Sequence, residues 1–119
     1  MSLKFNLATG VVPVVLTEGQ KTINCEIREM KAATRDAYLD TVGDRLRLGP
    51  DGKPIGVKKF EGMQADLLTR CVFIEGSEVP IAKDVVQGWP ASVVTSLYEE
   101  AQKLNQLTNV QETETVKND

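Results

Sequence analysis

The side chains best suited to chemistry in this sequence are carboxylates and two cysteines. Asp36, Asp40 and Asp44 recur at four-residue steps, which on a helix stacks them along one face. Such a row could hold a hard cation through oxygen ligands. Arg35 and Arg45 flank it, and it lies opposite the apolar positions of the same segment, so a solvated helix face is expected. Glu99-Glu100 is read in the same way, as an exposed pair. Cys25 and Cys71 are far apart, and two thiols cannot complete a zinc site, which takes three or four ligands. Both sit in apolar patterns, so buried free thiols are expected. The chain has no histidine, which removes the commonest general base and the Ser-His and Cys-His nucleophile pairs. Gly49-Pro50-Asp51-Gly52-Lys53 has the look of a phosphate loop, but its prolines and spacing do not fit G-x-x-x-x-G-K-[ST] and mark a turn. No catalytic, cofactor-binding or metal-ligating residue is assigned, and the chain is expected to be non-enzymatic.

Length and composition agree with a binding protein. The 119 residues make one domain, large enough to bury a core without disulfides or metal. Aromatic residues are only 5%, so that core must be mostly aliphatic. The net charge is −3, and Lys58-Lys59 is the only adjacent basic pair, which argues against a nucleic-acid partner. The sequence carries no signal peptide and no membrane-length apolar run, and a reducing cytoplasm is expected.

The elements that would position a binding surface follow from periodicity. Residues 1–10 read as a loose lead-in. Residues 11–16 are β-branched and apolar around Pro13, which suggests an edge strand. Thr17 to Gln20 is a turn, and Lys21 to Arg28 alternates, with Ile23, Cys25 and Ile27 on one side. The two runs predict an antiparallel β-hairpin. A first helix is predicted from Met30 to about Leu46, with Ala33, Ala37, Tyr38, Thr41, Val42 and Leu46 inward. Residues 49–54 are a loop. A second helix is predicted over 60–71 with Met63, Leu67, Leu68 and Cys71 inward, then the apolar Val72-Phe73-Ile74 and a short helical turn over 80–86. The third main helix covers 89–107, with Pro90 in its first turn. Val93, Val94, Leu97, Tyr98, Ala101, Leu104 and Leu107 share one face, and Glu99 and Lys103 add an i,i+4 pair worth roughly 0.2–0.5 kcal/mol. The fold class is therefore α+β: an N-terminal antiparallel β-hairpin followed by a predominantly helical part with three main helices, spanning residues 1–107, and then a disordered tail over 108–119. The far end of the closing helix extends its apolar stripe beyond what a small domain can cover. Tyr98, Ala101, Leu104 and Leu107 are accordingly the expected partner-binding residues, with self-association through the same stripe.

Three stretches carry a resemblance. Arg28-Glu29-Met30-Lys31-Ala32-Ala33-Thr34-Arg35-Asp36-Ala37-Tyr38 reads R-E-M-x-A-x-x-R-D-x-Y, Ala65 to Cys71 reads small-x-L-L-x-x-C, and Ala101 to Leu107 reads A-x-x-L-N-x-L. In this order they resemble the tail assembly chaperones of long-tailed bacteriophages over about residues 11–107. Lys31 stands where a Ser or Thr would cap the first helix. The resemblance implies a non-enzymatic protein that coats the tape measure protein, helps recruit tail tube subunits, works in the cytoplasm of the bacterial host and is absent from the mature virion. Further expectations are a minor structural tail or head–tail joining protein, and an unrelated cytoplasmic interaction domain.

Chaperones of this kind are often made in two lengths by ribosomal frameshifting. Val116-Lys117-Asn118 can be encoded GTA-AAA-AAC, which contains the slippery run A-AAA-AAC. Expression of the whole gene region should then give a larger co-product, and silent recoding of Lys117 and Asn118 should abolish it. A gene without a slippery heptamer or an overlapping downstream frame would end this expectation.

Overall fold

Strands β1 (Val11–Glu18) and β2 (Lys21–Arg28) pair antiparallel, from Val11↔Arg28 to Glu18↔Lys21. Gly19 takes a positive φ of 61° at the first position of the two-residue turn, as a type II′ hairpin turn requires. In the computed structural model, which describes residues 2–107, this hairpin opens an α+β fold. It is followed by helices α1 (Ala32–Arg45), α2 (Met63–Cys71), α3 (Lys83–Gln87) and α4 (Ala91–Leu104). The expected tail over 108–119, with Lys117 and Asn118, lies outside the described residues.

Three strands were not anticipated. β5 (Val72–Ile74) continues directly from α2 and pairs antiparallel with β2, giving the sheet order β1-β2-β5. β1 is thus an edge strand, as Pro13 suggested, and there a missing N–H breaks no second ladder. β3 (Leu46–Leu48) and β4 (Pro54–Val57) form a separate hairpin. The 49–53 segment is its turn: the Gly52 N–H donates to the Gly49 carbonyl, the Asp51 carboxylate accepts from the Lys53 N–H, and Gly52 has φ 79°. The hairpin exposes Arg47, Lys53, Lys58 and Lys59 around or beside it, together with Leu48 and Ile55.

The helices differ from expectation at their ends and faces. α1 starts after Lys31, whose side chain caps nothing, and it yields to β3 at Leu46. α1 leans on α2 along a narrow strip of Tyr38, Leu39 and Val42, so Ala33 and Ala37 are exposed rather than inward. Arg35, expected to be solvated, has its Nε buried without a hydrogen-bond partner. α2 begins at Met63 rather than Phe60, because Gly62 enters with φ 74° and breaks the periodicity. A Cβ at Gly62 would also lie 2.8 Å from the Lys83 Nζ. Arg45, likewise expected in solvent, pairs with Asp66 near the start of α2 and donates to the Glu61 carbonyl at 2.8 Å. Lys83 of α3 reaches the same Asp66 at 3.2 Å, so one carboxylate ties three helices together.

The core joins Cys25 and Ile27 of β2, Val72 of β5, Leu67, Leu68 and Cys71 of α2, and Leu97, Tyr98 and Ala101 of α4. α4 ends in a left-handed turn: the Gln106 N–H donates to the Lys103 carbonyl and the Leu107 N–H to the Gln102 carbonyl, with Gln106 at φ 58°. This is a Schellman cap with a glutamine where glycine is usual. It turns Leu107 back into the core and leaves Asn105 buried. The Asn105 carbonyl oxygen accepts from the Met30 N–H at 2.7 Å, while its amide nitrogen donates to the Ala101 carbonyl at 2.8 Å and lies 3.6 Å from the Cys71 sulfur.

Asn105→Ala should strand the Met30 N–H in the core and lower stability by about 1–3 kcal/mol. Gln106→Gly should raise stability by roughly 1 kcal/mol by removing the left-handed strain. Denaturant melts of the two variants beside the wild type check both signs, and equal midpoints would contradict the roles assigned to this turn.

Candidate docking groove

The surface that stands out is where the sheet outruns its helical cover. Paired residues in an antiparallel ladder point to one side, so Val12, Val14, Leu16, Ile23, Cys25, Ile27, Val72 and Ile74 share the inner face. Along β2 the cover thins toward the hairpin tip: Ile27 is 0% exposed, Cys25 2% and Ile23 42%. Along β5 it thins from Val72 at 1% to Ile74 at 51%. Strands of eight residues extend about 27 Å, farther than the layer of α2 and α4 reaches.

Trp89 stands over this uncovered end. It occupies the short link between α3 and α4, where the Gly88 N–H donates to the Val85 carbonyl and the Trp89 N–H to the Val86 carbonyl. Pro90 then sets an extended backbone before α4 begins, and a residue preceding proline is biased away from the helical region. Trp89 lines a hollow of about 530 Å³ with Leu16, Glu18, Lys21, Ile23 and Val93. It also lines one of about 310 Å³ with Ile23, Ile74, Val79, Ile81 and Val85, and one of about 430 Å³ with Phe60, Met63 and Val94. The first two share Ile23 and Trp89 in their walls and together make a groove with a mostly apolar lining. In α3, Val86 is buried and the adjacent Val85 is exposed on the groove's rim, because a five-residue helix cannot turn both inward.

The expected docking residues are elsewhere. Tyr98 is 7% exposed, Ala101 0% and Leu107 2%, so the stripe at the end of α4 is core and not an open surface. Leu104 is partly buried, and a Cβ at Gly10 would come within 3.0 Å of its Cδ1. α4 packs this stripe against α2 and β2, and the Schellman turn folds Leu107 onto the same core. Ile23, Ile74, Val85 and Trp89 were not singled out as a surface by sequence. The available signals were the lone tryptophan beside a proline and the two adjacent valines in a short helix.

The polar chemistry of the core is structural. Burial pushes the Cys71 thiol up to about 12, against a weaker downward pull from the Asn105 amide and Arg70; burial also raises Cys25. Both cysteines are free and buried, as the sequence indicated. Burial alone would raise Asp66, but the hydrogen bonds and charges of Arg45 and Lys83 outweigh it and hold that carboxyl below its ordinary value. Asp36, Asp40 and Asp44 are exposed. Among the described residues no three His, Cys, Asp or Glu side chains group to hold a metal ion, and no helix is long and apolar enough to cross a membrane. None of the protein-family models, curated proteins or solved structures compared with this chain matches it.

The native thiols should resist alkylation at mildly alkaline pH and react only as the chain opens. Because folding raises the Cys71 pKa, its contribution is complete below the ordinary thiol value near 9 and is lost as pH rises toward about 12. The Asp66 contribution runs oppositely, complete above the ordinary carboxylate range and lost as pH falls through the lowered folded value. Labelling kinetics and melts across pH check these directions; rapid labelling of the folded chain would contradict the first.

Proposed function

We propose that this protein is a non-enzymatic phage tail assembly chaperone whose apolar groove at Trp89 holds a segment of the tape measure protein. The observation that carries this reading is the open groove itself: exposed Ile23 and Ile74 as floor, with exposed Val85 and partly buried Trp89 as walls. A long helical polymer with an apolar stripe would aggregate if left bare, and a groove of this kind can mask such a stripe reversibly. The R-E-M-x-A-x-x-R-D-x-Y, small-x-L-L-x-x-C and A-x-x-L-N-x-L stretches support the assignment by their resemblance to that family. The protein then helps recruit tail tube subunits in the cytoplasm of the bacterial host and leaves before the virion is complete. Its partners are proteins rather than nucleic acid or membrane, in keeping with the net charge of −3.

Co-expression with a tape measure fragment tests this reading. Ile74→Glu and Val85→Glu should each cut co-purification at least about ten-fold, while stability stays within about 0.5 kcal/mol, as expected for exposed positions. Undiminished capture by both variants would overturn the groove as the docking site. Mass spectrometry of purified particles should find the protein absent, and its presence there would favour the minor structural reading instead.

A further inference from the structure

We infer that the groove at Trp89 also receives the N-terminal arm of a second copy of this chain. This inference rests on the reading of the groove as a docking site, but not on the identity of the phage partner.

The arm precedes β1 and reads Leu3-Lys4-Phe5-Asn6-Leu7. Its apolar residues alternate with polar ones, the pattern of a strand with one face to bury. None of the described residues covers that face: Leu3 is 83% exposed, Phe5 82% and Leu7 95%. Three large apolar side chains in a row on an extended segment are a docking element without its site. The groove is the complementary element, a site without its occupant, and every copy carries one of each.

In its own chain the arm stays out of the groove. It leaves β1 at Gly10, whose carbonyl accepts from the Glu29 N–H at 2.9 Å, whereas Leu16 and Ile23 pair near the hairpin tip at the other end of that strand, and Leu3, Phe5 and Leu7 remain exposed. A second copy can lay its arm across this groove, and two copies exchanging arms satisfy both grooves at once in a closed pair. Because arm and tape measure segment would compete for one apolar surface, the pair keeps the groove covered until a stronger occupant displaces the arm.

The full chain with Leu3→Ser, Phe5→Ser and Leu7→Ser, all exposed positions, should retain the wild-type circular dichroism and melting profile. In sedimentation equilibrium at high micromolar concentration the wild type should be heavier than the 13.1 kDa monomer, and the triple variant should associate at least about ten-fold more weakly. Trp89, the only tryptophan, reports the site directly. A synthetic peptide of residues 2–10 added to the triple variant should shift its emission saturably to the blue, and the same peptide with Phe5→Ser should not. A monomeric wild type, or a heavier one whose mass survives the triple substitution, overturns the inference. So does a peptide that leaves Trp89 emission unchanged. Tape measure capture should persist or rise in the triple variant; loss of that capture from the wild type itself would sink the chaperone reading while leaving the mass and fluorescence results to stand alone.

Discussion

One buried amide holds the two ends of the fold together. Asn105 comes from the last turn of the chain's final helix, yet its carbonyl oxygen accepts from the Met30 N–H where the hairpin hands over to α1. Its nitrogen satisfies the Ala101 carbonyl and lies against the Cys71 sulfur at the end of α2. An apolar residue of similar size would fill the space and leave the Met30 donor in a core that offers no water. The polar group therefore fixes where α4 must stop and which face of α2 it meets. The Asp66 cluster does comparable work near the start of α2, gathering Arg45 and Lys83 so that charge adds to the anchoring of α1 and α3 by buried Tyr38 and Val86.

How much of this was legible in the sequence depends on the length of each pattern. β2 alternates over eight residues, and a period of two sustained that long has few other readings, while β1 was legible as a β-branched apolar run over 11–16. β3, β4 and β5 have three or four residues, too few for a period to register, and Pro54 and Gly56 further mask β4. β5 is further hidden because it leaves α2 with no intervening loop. The helices were legible as helices, but their buried faces followed neighbours that sequence does not reveal: α1 turns Tyr38, Leu39 and Val42 to the core and leaves Ala33 and Ala37 exposed.

The functional surface was the least legible part, for a particular reason. The helical period in α4 runs unbroken through Leu107, and Gln106 carries none of the signal that a glycine would have given for a left-handed turn. The apolar stripe thus read as projecting from the domain, whereas it closes the core. The true opening comes from a mismatch in extent between a long hairpin and a short helical layer. No single segment encodes that mismatch; it exists only once β2, β5 and the α3–α4 link have been brought together.

The second hairpin gives the molecule an uneven electrical character. The stretch from Leu46 to Lys59 holds four cations against the one carboxylate of Asp51, in a chain whose overall charge is −3. The rest of the sequence therefore carries an excess of negative charge, and the hairpin is a local positive pole. An acidic partner approaching from solution would be drawn first to that hairpin and oriented before any apolar contact forms. The speed of encounter would then fall with added salt, whereas the lifetime of a complex seated on the groove's aliphatic floor would not.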